Sequence, residues 1–252
     1  MTLGASHVLV TGGGTGIGRA IAEAVVAAGG RVAIVGRRVE LLEALAKTHP
    51  PGTILPLAAD LEAPESRAGL LRRAKEALGG LDGFVSCAGN CWHQPLGDVQ
   101  ESALRSQLEL NLVAPLRLAE EALIELAPGG GIVFVGSTLA DRPVRTSAVY
   151  SAAKAGLVAL AKVVALEGAP RAVRANVVVP GVVDTAMVRA PREARATDAA
   201  GEPEARLEAL RRLHALGRLG APEDIARTVV HLLTASWVTG SAWTVDGGLL
   251  LR

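Results

Sequence analysis

The sequence predicts an α/β fold in one domain: a doubly wound parallel sheet with helices on both faces. Three observations predict it. Short β-rich runs alternate with helical ones along all 252 residues. The β-rich runs are apolar almost throughout, as in RVAIVG and GIVFVGS, and such strands need cover on both faces. No internal repeat and no linker rich in Pro, Gly or Ser divides the chain, so 1–252 reads as a single unit.

The elements follow in order. HVLVTG is a strand, and GRAIAEAVVAAGG a helix that stops at its glycines. RVAIVG is the second strand, RVELLEALAKTH a helix, and GTILPLAAD the third strand. SRAGLLRRAKEALGG reads as one helix, LDGFVSCAG as a strand, and residues 103–127 as one long amphipathic helix. GIVFVGS precedes the helix AVYSAAKAGLVALAKVVALEGA, and VRANVVVPG is a further strand. PEDIARTVVHLLT and SAWTVDGG close the pattern as helix and strand. Right-handed crossovers between such strands wind the sheet both ways from its centre. The Arg- and Ala-rich insertion 186–215 follows directly on a strand's C-terminal end, where ligands of these sheets bind. It reads as a substrate lid in preference to a solvated helical excursion.

Composition narrows the function. Half the residues are hydrophobic and 2% aromatic, so Ala, Val and Leu must fill the core. A net charge of +1 gives no general grip on nucleic acid or acidic membranes. Cys87 and Cys91 are too few for a disulfide framework. The opening MTLGASHVLVTGGG has no basic segment followed by a long apolar one, so no secretory signal is expected. No apolar run reaches the ~18–20 residues that a membrane span requires. A soluble, cytoplasmic protein without nucleic-acid or membrane partners is the expectation.

TGGGTGIG, Thr11 to Gly18, joins the first strand to the first helix. Lacking Cβ, Gly12, Gly16 and Gly18 let backbone approach a pyrophosphate, which the helix N-terminus favours electrostatically. An acidic residue after the second strand would favour NAD. Gly36-Arg37-Arg38 stands there instead, and a guanidinium binds a 2′-phosphate bidentately. NADP(H) is thus favoured, NAD(H) possible, and exposed arginines without a ligand are the bland alternative.

YSAAK holds the chain's single tyrosine and one of its four lysines. Tyr150 and Lys154 are four apart, hence on one helix face. A phenol of pKa near 10 exchanges protons poorly at neutral pH until a cation stabilises its anion, and Lys154 is expected to do so; ordinary Tyr–Lys packing is the alternative. Ser137 ends a central strand and points toward the crevice, placed to hold a substrate oxygen. Asn111 lies inside a predicted helix, where Asn is a poor helix former. It either bends that helix and exposes a carbonyl or is merely tolerated.

On these residues the chain resembles the short-chain dehydrogenase/reductase family over nearly its whole length. The resemblance implies a Rossmann fold, with Ser137, Tyr150, Lys154 and Asn111 as the catalytic set. It implies a dinucleotide held by Gly12, Thr15, Gly16, Ile17 and Gly18, with Asp60 and Leu61 at the adenine and Ala88 and Gly89 over the ribose; Arg37 reads as the 2′-phosphate contact and Cys87 as a small apolar side chain lining the cofactor cleft. Tyr150 and Lys154 also meet the cofactor, and Pro180, Gly181, Val183 and Thr185, within VVPGVVDT, hold the nicotinamide carboxamide. GRLGAPEDIA and VTGSAWTVDGG extend the likeness to the C-terminus. Relatives are dimers or tetramers, so a homo-oligomer is implied.

Two departures stand out. Ser86-Cys87 replaces the family's paired asparagines, which puts that strand's support in doubt, and Thr15 stands where many NADP-preferring relatives carry a basic residue. Cys87, Cys91 and His93 suggest soft metal ligands, but no fourth ligand is evident, so no metal is expected. The function expected is NADP(H)-preferring interconversion of a ketone and a secondary alcohol, 3-oxoacyl or other. A catalytically silent nucleotide sensor and an enoyl-thioester reductase are the alternatives. Leu139, Val144 and Met187, with Trp92 and His93, are candidate walls for a carbonyl or alcohol substrate.

Overall fold

The computed structural model describes residues 3–4, 6–189 and 203–252. Seven strands form one parallel sheet: β1 His7–Thr11, β2 Arg31–Gly36, β3 Ile54–Ala58, β4 Gly83–Ser86, β5 Gly131–Val135, β6 Arg174–Pro180 and β7 Ala242–Val245. Their order is β3-β2-β1-β4-β5-β6-β7. The chain therefore winds outward from β1 in one direction and then from β4 in the other. A crevice opens where the winding reverses.

Alternation along each strand splits the core into two layers. Leu9, Ala33, Val35, Ile132 and Phe134 face one side, and Val8, Val10, Val32, Ile34, Val133 and Val135 the other. The second layer packs against α1 (Gly16–Ala27), α2 (Val39–Lys47) and α10 (Pro222–Thr234) through Ile21, Leu42 and Ile225. The first packs against α4 (Leu70–Leu78), α6 (Ala114–Glu125) and α7 (Ala148–Gly168) through Leu71, Leu118 and Leu157. Phe84 and Phe134 are fully buried, each contributing about 1.5–3 kcal/mol by leaving water.

The predicted strands and most helices are present, with two corrections. The helix expected from Ser66 is broken: α3 spans Pro64–Arg67, Gly69 adopts φ +66°, and α4 starts at Leu70. Arg67 is buried, donating to the Leu61 carbonyl at 2.9 Å and pairing with Glu109, and this tether sets α3 apart from α4. The long helix over 103–127 is also interrupted. Between α5 (Glu101–Leu108) and α6 lies a wider π-helical turn, Glu109–Val113. Pro115 has no N–H for the carbonyl of Asn111, four residues earlier. Asn111 in turn donates its side-chain amide to the Gln107 carbonyl at 2.9 Å, competing with the α-helical ladder.

A window within Ala148–Arg171 has mean hydropathy 1.6, long and apolar enough for a membrane span. Lys154, Lys162 and Glu167 interrupt the segment, so its apolar residues form no continuous run of that length. Here the segment packs on β6 and carries Tyr150 and Lys154 into the crevice. In the insertion 186–215, α8 (Ala186–Arg189) and α9 (Pro203–Arg212) are described. Residues 190–202, the middle of the expected lid, lie outside the described residues.

Candidate active site

A cleft of about 650 Å³ opens at the C-terminal ends of the strands. One side is made of backbone. Gly12 has φ +69°, and a Cβ on it would stand 3.0 Å from Cα of Ala88. A Cβ on Gly18 would stand 2.2 Å from the Gly12 carbonyl oxygen, so that turn closes only around a bare Cα. Thr15 precedes α1 without capping it by its side chain, leaving the first amides of a 12-residue helix for an anion. At the outer end, Arg38 donates to Thr15 Oγ1 at 3.4 Å, and Arg37 lies 3.6 Å from a Glu62 carboxylate oxygen. The Asp60 carboxylate accepts from the Glu62 amide at 3.1 Å.

The doubt over Ser86-Cys87 has a structural answer. Thr11 Oγ1 accepts from the amides of Cys87 at 3.0 Å and Ala88 at 3.1 Å. It also reaches the Val85 carbonyl at 3.4 Å. A hydroxyl on β1 thus pins the end of β4 by its backbone.

The opposite side is made of side chains. Ser137 follows β5, and its Oγ accepts from the Leu139 amide at 3.1 Å. Tyr150 and Lys154 rise from α7, with Lys154 Nζ 5.6 Å from the Tyr150 ring centre and donating to the Val135 carbonyl at 2.9 Å. Asn111 is fully buried; its amide nitrogen lies 2.9 Å from the Asn90 carbonyl and 3.0 Å from Asn90 Oδ1. Among the described residues its Oδ1 has no partner. A Cβ on Gly89 would stand 2.7 Å from that Oδ1 and 3.8 Å from Lys154 Nζ. The missing side chain of Gly89 therefore keeps a polar corner open between amide and ammonium.

Burial governs the electrostatics. It pushes the Tyr150 phenol well above its usual range; Cys91 and Cys87 add to that, and a hydrogen bond with Ser137 opposes it. Burial also lowers the Lys154 ammonium to about 8 and raises the Cys87 thiol to about 12, against the pull of Lys154. The acidification of Tyr150 expected from Lys154 is not found, and desolvation dominates. The phenol keeps its proton at neutral pH, as a proton donor must.

Of the catalytic and cofactor candidates the cleft brings together all but Asn111: Ser137, Tyr150, Lys154, Gly12, Thr15, Gly16, Ile17, Gly18, Arg37, Asp60, Leu61, Cys87, Ala88, Gly89, Pro180, Gly181, Val183 and Thr185. Asn111 stands just behind Gly89. Leu139, Val144, Met187 and His93 line the cleft as expected. Trp92 does not; it is 44% exposed and gives its amide to Gln107. Sequence reasoning left Cys91 out of the cleft wall and missed Arg142, Arg145 and Leu249 there. Arg142 donates to the Leu249 carbonyl at 3.2 Å, a contact 107 residues apart in sequence that no local pattern signals. Among the described residues no three His, Cys, Asp or Glu side chains gather as a metal site.

The family model described as Enoyl-(Acyl carrier protein) reductase matches residues 12–250. Carbonyl reductase family member 4 of Xenopus laevis is 31% identical over 245 residues, covering 96% of this chain and 97% of its own. A short-chain dehydrogenase/reductase from Serratia marcescens BCRC 10948 superimposes with a TM-score of 0.87 at 30% identity, covering 99% of each chain. A blue fluorescent protein from a metagenomic library, solved in complex with NADPH, reaches 0.85 at 28% identity and covers 99% of each. The fold, the cleft and these likenesses lead to one conclusion: the chain belongs to the short-chain dehydrogenase/reductase family, NAD(P)-dependent oxidoreductases that act on CH–OH and C=O groups of small molecules.

Proposed function

We propose that this chain is an NADP(H)-preferring carbonyl reductase that interconverts a ketone and a secondary alcohol. The observation that carries the reading is the convergence of Ser137, Tyr150 and Lys154 in one cleft with the glycine turn. The residues fit a dinucleotide: bare Cα atoms at the turn, α1 amides for a pyrophosphate, and Arg37 with Arg38 for a 2′-phosphate. When bound, the cofactor supplies or accepts a hydride at its nicotinamide ring. Ser137 holds the substrate oxygen, and Tyr150 gives that oxygen its proton during reduction. Lys154 orients the ribose. Asn111 presents its unpartnered Oδ1 to the corner below Gly89, where a water can pass protons inward.

Val144, Leu139 and Met187 favour a partly apolar substrate. Met187 and Leu210 bring both described ends of the 186–215 insertion to the cleft, which supports a lid. Ile124 on α6 and Val163 and Leu166 on α7 are exposed apolar side chains, which supports a homo-oligomer. The enoyl reading draws on the description of the matching family model. The four-residue spacing of Tyr150 and Lys154 resembles the carbonyl reducers instead. NADPH and NADH consumption against a panel of ketones, 3-oxoacyl and enoyl thioesters tests the proposal. Tyr150→Phe should lose about 100- to 10,000-fold in kcat on ketones while binding NADPH normally. Near-parental turnover by that variant overturns the assignment.

A further inference from the structure

A second reactive chain of side chains stands in the same cleft, and carbonyl reduction makes no use of it. Cys91 and His93 both line the cleft, on the loop between β4 and α5. Cys91 Sγ lies 3.4 Å from His93 Nε2. The other ring nitrogen, Nδ1, lies 3.4 Å from Thr146 Oγ1. The imidazole is thus held between a thiol and a hydroxyl, the order in which a base stands between a nucleophile and the group that orients it.

Thr146 is fixed in that place at a cost. Its φ is +70°, an outlier for a β-branched residue, and such a conformation persists only when its surroundings enforce it. Its carbonyl accepts from the Gln94 amide at 2.9 Å, clamping the loop that carries Cys91 and His93 to the loop that leads into α7. Both cysteines of the cleft wall are half-buried, and the imidazole sets them apart. Burial raises the Cys87 thiol to about 12. Cys91 has His93 in contact at 3.4 Å.

We propose that Cys91 is a covalent capture site for α,β-unsaturated carbonyl compounds, with His93 as its base. The Cys91 S–H bond breaks and its proton passes to His93 Nε2. A sulfur electron pair forms a bond to the β-carbon, and the C=C π pair moves onto the carbonyl as an enolate. The α-carbon then takes a proton and His93 returns to its neutral form. The sum is addition of S–H across C=C, with no oxidant or reductant consumed. The apolar wall of Leu139, Val144 and Met187 suits small enones. Capture needs no hydride, so it stands or falls separately from carbonyl reduction.

The test is incubation of the protein, free of added dinucleotide, with 2-cyclohexen-1-one, followed by intact mass and peptide mapping. One equivalent is expected, on Cys91. Cys91→Ser should take no label, and His93→Gln should label at least ~10-fold more slowly, both with parental circular dichroism. Tyr150→Phe should still carry its label on Cys91, separating capture from reduction. Absence of an adduct, an adduct on Cys87, equal labelling of both thiols, or His93→Gln labelling as fast as the parent would each overturn the proposal.

Discussion

The two sides of the cleft are built on opposite terms. The β1–α1 side recognises by what is missing: bare Cα atoms at Gly12 and Gly18 and uncapped amides at the start of α1. The α5–β5–α7 side acts by what is present: Asn111, Ser137, Tyr150 and Lys154, polar groups carried close to or into the core. The first is intolerant of added atoms, because backbone stands against backbone. The second is intolerant of lost atoms, because each buried polar group leaves a partner behind when it goes.

Mutations that add or remove a few atoms sharpen this contrast. Gly18→Ala forces a methyl to within 2.2 Å of the Gly12 carbonyl oxygen. Overpacking of that kind costs about 1–3 kcal/mol, more where backbone cannot yield. Titration should show dinucleotide affinity falling on the order of 100-fold, while α7 and its tyrosine stay in place. A parental affinity would break the claim that this side works by absence. Asn111→Ala should lower stability by about 1–3 kcal/mol in urea unfolding, since the carbonyls of Asn90 and Gln107 lose their donor. Its kcat should fall as well.

Smaller effects lie at the rims. Arg38→Ala should weaken NADPH about tenfold and leave NADH unchanged, measured by fluorescence titration. Arg37→Ala should do less, because Glu62 already holds that guanidinium at 3.6 Å. The last test is pH. Burial lowers Lys154 from 10.5 to about 8, so between those values the unfolded chain binds more protons than the folded one. The contribution of this site to stability therefore rises with pH through that window, and its penalty is complete below it. In thermal melts, the stability of Lys154→Met relative to the parent should fall as pH rises from about 8 toward 10.5, because the parent's burial penalty fades there and the variant has none to lose.

The sheet was legible because strands buried on both faces read as unbroken apolar runs, and the glycine turn because its spacing is local. Tyr150 and Lys154 were legible because four residues make one helical turn. The break at Gly69 was not, since apolar periodicity runs straight through it. Arg67, buried against Leu61 and Glu109, fixes it from outside the local sequence. Asn111 could be flagged as a poor helix former, but the π turn needed Pro115 and the Gln107 carbonyl as well. The sign of the Tyr150 shift was missed because spacing reports a neighbouring charge and says nothing of desolvation. Arg37 and Arg38 both line the cleft, and the reach of Arg38 to Thr15 on the glycine loop is a contact that spacing does not report.

The reversal in strand order also governs how the chain assembles. β1 leaves the ribosome first, yet one of its two neighbours is β4, with Val8 aligned to Gly83. Every strand pairing here spans a crossover, so long loops must close before any pairing is rewarded. Until β4 arrives, one edge of β1 stays open to other chains. The same exchange of neighbours that opens the crevice delays the pairings that close the sheet, so refolding yield should fall as protein concentration rises.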